Sequence, residues 1–171
     1  MEKLTTVYLS LGSDLGDQLS NLEKAIHLIS TKISPIGSVS RIYETLPLGF
    51  DSDTHFLNLC IELKTKLSPF ELLNETQAIE QLIGRKEKSI NKEYTSRIVD
   101  IDIILFGDKI IKIEQLEIPH SQYRKRNFVL FPLSDIANHL IDPISGLTIE
   151  QIKRNCEDDS SITISDSSIP I

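Results

Sequence analysis

The run RIVDIDIILFG, residues 97–107, constrains the fold more than any other stretch of the chain. Its length and its Val and Ile content read as a strand. Side chains of a strand alternate between two faces, so Val99, Ile101, Ile103 and Leu105 share one face and Asp100, Asp102 and Ile104 the other. The first face belongs in a core. The second carries two carboxylates whose Cα atoms stand about 6–7 Å apart by strand rise. Like charges this close repel, and strands disfavour aspartate. A hard divalent cation offsets both costs, because Mg²⁺ takes one or two carboxylates and completes its shell with substrate phosphates. On an open sheet the same pair would simply face water. Arg97 stands immediately ahead and closes the polar, mostly basic run RKEKSINKEYTSR. Cations suited to phosphate then sit beside carboxylates suited to metal, the make-up of a phosphoryl-transfer site.

The rest of the chain supplies partners for this strand. TVYLSLG is a first strand, ended by Gly12. Leu19, Leu22, Ile26, Ile29 and Ile33 recur at helical spacing, with Asp17 placed to cap and Pro35 and Gly37 to stop the helix. GSVSRIYET reads as a second strand and LPLGFDSD as a loop. HFLNLCIELKT is a third strand, with Phe56, Asn58, Cys60 and Glu62 on one face and Leu57, Leu59, Ile61 and Leu63 on the other. SPFE holds a complete helix start: Ser68 as cap, Pro69 at the first helical position and Glu71 closing a capping box. That helix runs to Gly84. After the Asp-bearing strand come two short strand fragments in IIKIEQLEIPH, a short helix in RNFVLFPLSDIA interrupted by Pro132, and a last helix in LTIEQIKR. The order strand, helix, strand, strand, helix, strand predicts an α+β fold of the ferredoxin-like kind, an antiparallel sheet with helices packed on one face, plus C-terminal extras. One domain is expected over residues 1–156, followed by a polar, Ser-rich and loose tail over 157–171.

Composition narrows the function. Hydrophobic residues make up 40% of 171, enough for one core. The formal net charge of -7 argues against a broad nucleic-acid or membrane surface, yet leaves room for a small anionic ligand at a local positive patch. Cys60 lies in an apolar strand and reads as core, and Cys156 is incidental; no disulfide is implied, which suits a reducing compartment. The N-terminal MEKLTTVYLSLGS has no signal-peptide pattern, and no apolar run approaches the ~20 residues that span a bilayer. A soluble, cytoplasmic monomer is expected.

Several other features have a plain reading beside a functional one. LGSDLGD lacks the ending of a P-loop and reads as a strand-to-helix turn. Gln77 and Glu80 share a helix face, which is ordinarily a solvated one. PHSQYRKRNF gathers His120, Arg124, Lys125 and Arg126, either a solvated surface or an anion site stiffened by Pro119. His27, His55 and His139 have no partner visible in the sequence.

Taken together, LGSDLGD, YETLPLG, FLNLCIEL, SPFELLNETQAIEQLIGR, SRIVDIDIILFG, IPHSQYRKRNFVLFPL and DP resemble, in order and spacing, the 6-hydroxymethyl-7,8-dihydropterin pyrophosphokinases of folate biosynthesis. The similarity runs from about Val7 to Arg154. It implies transfer of the β,γ-pyrophosphoryl unit of ATP to the pterin hydroxymethyl oxygen, leaving AMP. It implies two Mg²⁺ ions at Asp100 and Asp102, with Asp100 also facing the pterin. It places Gln77, Glu80, Arg85, Tyr94, Arg97, His120 and Arg126 around ATP, with Arg85 and Arg97 as catalytic arginines of a closing loop. It places Thr45, Leu48, Phe56, Asn58 and Phe128 around the pterin, with Phe56 and Phe128 stacking on the ring.

The chain departs from the family pattern at Glu87, where a second arginine is usual, and at Glu93, Thr95, Ser96 and Ser121. Two other readings therefore stand beside the enzyme: a degenerate homologue that binds pterin without turnover, and a non-catalytic ferredoxin-like binding domain.

Overall fold

The computed structural model describes residues 3–14, 16–45, 55–84 and 98–169. Its elements are β1 (Thr5–Ser13), α1 (Gln18–Lys32), β2 (Ile36–Val39), β3 (Tyr43–Thr45), β4 (Phe56–Thr65), α2 (Pro69–Gly84), β5 (Asp100–Phe106), β6 (Ile111–Ile113), β7 (Leu116–Ile118), α3 (Asn127–Ala137), α4 (Ile149–Asn155) and β8 (Ile162–Ile164). The main sheet is antiparallel in the order β5-β1-β4-β3-β8, with β2 also paired to β4. β6 and β7 form a separate two-stranded ribbon.

Local chemistry sets the helix starts. The Asp17 carboxylate accepts the Ser20 N–H at 3.1 Å and caps α1. Ahead of α2, Glu71 N–H donates to Ser68 Oγ at 3.1 Å and Ser68 N–H donates to Glu71 Oε1 at 2.9 Å, a reciprocal box. Thr148 and Gln151 make the same box at α4. The run predicted as one second strand divides into β2 and β3 around 40–42, and both halves pair with β4.

Helices cover both faces of the sheet, which corrects the expectation of helices on one face. Leu22, Ala25, Ile26 and Ile29 of α1 and Leu72 and Ile79 of α2 meet Val7, Leu9, Leu11, Leu57, Leu59, Ile61 and Leu63 in the larger core. On the opposite face Tyr8, Cys60, Ile104 and Leu105 meet Val129, Leu130 and Leu133 of α3 and Ile149 and Ile152 of α4. Cys60 is fully buried there, and burial pushes its thiol up. The β1–β5 register shifts between Tyr8 and Leu9, so one extra β5 residue is absorbed in a bulge. Ile104 and Leu105 both join the second core, and Phe106 returns to the first. Leu105 therefore leaves the face predicted from strict alternation.

α3 runs unbroken through Pro132, where an interruption was expected. Pro132 is buried, and tertiary packing outweighs the one hydrogen bond it cannot donate. Asp135 fastens this helix to β3: it accepts Arg41 Nη2 at 2.8 Å and Nε at 3.0 Å, and the Tyr43 hydroxyl at 3.0 Å. The Ser-rich tail, expected to be loose, adds β8 to the edge of β3, with Tyr43 opposite Ile164 and Thr45 opposite Ile162.

Candidate active site

The second face is covered by α3 and α4 along only part of its length. Beyond them, β5, β1, β4 and β3 present a row of side chains above the sheet. The register sets Asp100 beside Gly12, Gly12 beside Asn58, and Asn58 beside Tyr43. One step along, Asp102 lies beside Ser10, and Ser10 beside Cys60. The aspartates thus share the face of Asn58 and Phe56, away from the larger core.

A cavity of about 450 Å³ opens over this row. Asp100, Asp102, Asn58, Thr45, Phe56, Phe128 and Arg126 all line it, so seven residues singled out in the sequence converge. Asn58 and Thr45 are buried in its floor, while Asp100 is exposed and Asp102 half-buried. The Arg126 guanidinium lies 5.6 Å from the centroid of the Phe128 ring. One wall therefore offers an aromatic face and a cation together.

Gly12 explains why this floor is open. A Cβ placed there would come within 2.7 Å of Asn58 Oδ1. Only glycine lets the Asn58 amide lie across β1 towards Asp100. Gly12 sits inside β1 and does not end it; the strand continues to Ser13, whose hydroxyl donates to the Ile98 carbonyl at 2.7 Å. Ser10, Gly12, Ser13, Asp14 and Ser160 also line the cavity and were not among the predicted site residues. The signal for the first four is LSLGSD itself, small and polar residues in register with the Asp pair. Ser160 comes from the tail and has no comparable signal.

Glu80 reaches β5 from α2. Its Oε2 accepts the Ile101 N–H at 2.8 Å, the backbone donor between the two aspartates. This bond ties the exposed edge of β5 to the helix and fixes the segment that carries both carboxylates. Gln77, one turn earlier, is exposed and lines neither this cavity nor the next.

A second cavity, of about 300 Å³, lies across the β5 edge and is lined by Asp102, His120, Leu73 and Glu117 among others. Asp102 borders both cavities. His120 follows a cis Ile118–Pro119 bond, and its backbone N–H donates to the Ile104 carbonyl at 3.0 Å. Its Nδ1 accepts the Gln122 N–H at 3.1 Å, so the neutral ring carries its proton on Nε2. Burial lowers the imidazole below its ordinary range; Asp102 opposes the shift, Arg126 adds to it, and Glu117 opposes it. Leu48 lies in 46–54, and Arg85, Tyr94 and Arg97 lie in 85–97, outside the described residues.

Among the described residues no group of three His, Cys, Asp or Glu side chains is arranged to hold a metal. Two carboxylates on one strand face fit a magnesium ion whose remaining ligands are substrate oxygens and water. Among the described residues no helix is long and apolar enough to cross a membrane.

Two aromatic rings, a buried amide, a neighbouring cation and paired carboxylates line one cavity on an antiparallel α/β frame, a lining suited to a flat heterocycle and an anionic co-substrate. The family model for 7,8-dihydro-6-hydroxymethylpterin-pyrophosphokinase (HPPK) matches residues 8–138. The chain belongs to that family. It is 44% identical over 135 residues to a 2-amino-4-hydroxy-6-hydroxymethyldihydropteridine pyrophosphokinase of Porphyromonas gingivalis, covering 78% of this chain and 92% of the relative. It is 37% identical over 150 residues to the pyrophosphokinase of that name from Aquifex aeolicus, covering 88% and 91%. The crystal structure of wild-type Plasmodium falciparum HPPK-DHPS superposes with a TM-score of 0.73 at 19% identity, over 91% of this chain and 45% of that longer one. This last likeness concerns the fold.

Proposed function

We propose that this chain transfers pyrophosphate from ATP to 6-hydroxymethyl-7,8-dihydropterin in folate synthesis. The single observation that carries the reading is the convergence of Asn58, Phe56, Phe128, Arg126, Asp100 and Asp102 on one cavity in a chain of this family. The pterin hydroxymethyl oxygen bonds to the β-phosphorus of ATP and gives up its proton. The bond from that phosphorus to the oxygen bridging to the α-phosphorus breaks, and AMP leaves.

The residues divide this work by position. Phe56 and Phe128 take the faces of the pterin ring, and the Asn58 amide and Thr45 read its edge; Leu48, outside the described residues, is assigned to the pterin by the family resemblance alone. A flat ring between aromatic walls has its hydroxymethyl arm directed along the floor, towards Asp100 and Asp102. Arg126 and the Nε2–H of His120 meet phosphate oxygens on the two sides of β5. The family resemblance assigns Arg85, Arg97 and Tyr94, outside the described residues, to ATP, and Gln77 and Glu80 of α2 to the nucleotide. Glu80 also holds the aspartates in place through the Ile101 amide. Asp100 and Asp102 would hold two magnesium ions, whose chemistry when bound is to neutralise the triphosphate and acidify the attacking hydroxyl. Catalysis here is positioning and charge compensation, with no covalent enzyme intermediate.

The β5-β1-β4-β3 order, with α1 and α2 as its crossovers, supports a ferredoxin-like reading of the frame, to which α3, α4 and β8 are additions.

The test is to incubate the protein with ATP, Mg²⁺ and hydroxymethyldihydropterin and to quantify AMP. AMP released in step with pterin diphosphate supports the reading. AMP formed independently of pterin, or none at all, contradicts it.

A further inference from the structure

The segment 157–164 lies outside the part of the chain that the family model matches, yet it touches two walls of the cavity. The N-terminus of α3 forms the first wall. Its cap residue, Arg126, makes no side-chain capping bond. A helix start leaves backbone donors without intrahelical partners. Here the tail supplies the missing acceptor: Asp158 Oδ2 accepts the Asn127 N–H at 3.0 Å. A carboxylate at this position also meets the positive end of the helix dipole. The buried Asn127 side chain answers in the other direction, its Nδ2 donating to the Ser160 carbonyl at 2.9 Å. Arg126 and Phe128, the neighbours of Asn127, both line the cavity.

The second wall is β3, whose Thr45 lines the cavity and pairs with Ile162 of β8. The Ser165 N–H adds a bond to the Ile42 carbonyl at 2.8 Å. Between these anchors Ser160 itself lines the cavity. Its hydroxyl donates to Asp158 Oδ1 at 2.6 Å and its N–H to the same oxygen at 3.0 Å, which sets the bend of the strap. Burial disfavours the charged Asp158, but the Ser160 hydroxyl and amide and the Asn127 amide more than offset it. The carboxyl is held below its ordinary range and is ionised at neutral pH.

We propose that the 157–164 segment is a substrate-positioning strap: Asp158 holds the start of α3, and with it Phe128, at the distance from β3 that the pterin ring needs, and Ser160 forms the rim of the same cavity. This rests on the pterin reading of the cavity given above. Asp158 acts through Asn127 and α3 and is a positioning residue.

The experiment compares Asp158→Ala, Asp158→Asn, Ser160→Leu and Phe128→Ala in steady-state kinetics, varying pterin at saturating ATP and Mg²⁺, with thermal unfolding of each variant. Loss of a charge-assisted bond that orders a wall is expected to raise the pterin KM of Asp158→Ala by about tenfold, in kcat/KM rather than in kcat. Asp158→Asn keeps one acceptor oxygen for the Asn127 N–H but loses the second, which accepts from Ser160, and is expected to recover part of that loss. Ser160→Leu loses the hydroxyl bond to Asp158 but keeps the backbone bonds to Asp158 and Asn127, so it is expected to raise pterin KM with at most a small fall in unfolding temperature, and it stands as the test should Asp158→Ala fail to fold. An unchanged pterin KM in the tail variants beside a raised one in Phe128→Ala overturns the strap and leaves the pterin cavity standing. An unchanged KM in all four overturns both. Equal losses in kcat and in unfolding temperature, with no change in KM, also overturn the strap.

Discussion

Gly12→Ala is a one-carbon change with a calculable consequence. The added Cβ would stand 2.7 Å from Asn58 Oδ1 and 3.7 Å from Asn58 Cγ, with the Leu57 carbonyl oxygen at 3.9 Å. Only the first contact is too close. The Asn58 amide must withdraw by roughly 0.7 Å to restore an ordinary van der Waals contact. A shift of that size breaks the alignment of hydrogen bonds to a rigid heterocycle. Two neutral bonds at about 0.5–1.5 kcal/mol each give a loss of about 1–3 kcal/mol, or roughly 5- to 150-fold in pterin Kd. The fold should hardly respond, because alanine in a strand regains about 0.5–1 kcal/mol relative to glycine. Isothermal titration with pterin in the presence of a nonhydrolysable ATP analogue measures the binding, and thermal unfolding measures the fold. A double-mutant cycle identifies the route: Gly12→Ala added to Asn58→Ala should cost little more than Asn58→Ala alone. Unchanged pterin affinity in Gly12→Ala, or fully additive losses in the cycle, would refute the reasoning.

Three further outcomes follow from the same geometry. Asp102→Ala should abolish pterin-dependent AMP formation with the unfolding temperature retained, because Asp102 borders both cavities and is only half-buried; retained turnover in a rapid-quench assay would remove it from the site. Phe128→Ala should weaken pterin binding by about 0.5–1.5 kcal/mol beyond the area it uncovers, leaving ATP affinity the less affected of the two, as competition binding would show. Asp142, fully buried, accepts Arg124 Nη2 at 3.0 Å, the Arg124 Nε–H, the Ser145 hydroxyl and the Ile144 N–H, so Asp142→Ala should cost about 3 kcal/mol or more by denaturant unfolding. Burial raises its carboxyl, but these bonds more than offset that and hold it below the ordinary range. Its stabilisation is therefore full above the unfolded value near 3.9 and lost as pH falls below it, and Asp142→Ala should flatten that part of the stability profile.

Much of the site could be read directly from the chain because it rests on strand alternation. The division of β4 into Leu57, Leu59, Ile61 and Leu63 against Phe56, Asn58 and Cys60 holds in the structure, and it alone brings Asn58 to the face of Asp100 and Asp102. The Ser68–Glu71 box and the Asp17 cap were equally readable, since each is local chemistry within four residues. What escaped depends on partners distant in sequence. The bulge opposite Tyr8 and Leu9 changes the face of Leu105 without changing any residue type. The second helical layer escaped because on that face Tyr8, Cys60 and Ile104 are interspersed with Ser10, Asn58 and Asp102, which breaks up the apolar signal of the strands on that side. The tail's polar composition hid a three-residue strand, which is held by Asp158 and by pairing with β3. Gly12 looked like a strand terminator because its purpose, room for Asn58, lies on another strand.

The most direct test of the account is a crystal structure with Mg²⁺, a nonhydrolysable ATP analogue and hydroxymethyldihydropterin bound. The ring should lie between Phe56 and Phe128 with its edge on Asn58, and both Asp100 and Asp102 should ligate metal at the triphosphate. A ring bound elsewhere, or aspartates turned to solvent with the triphosphate remote from them, would contradict it.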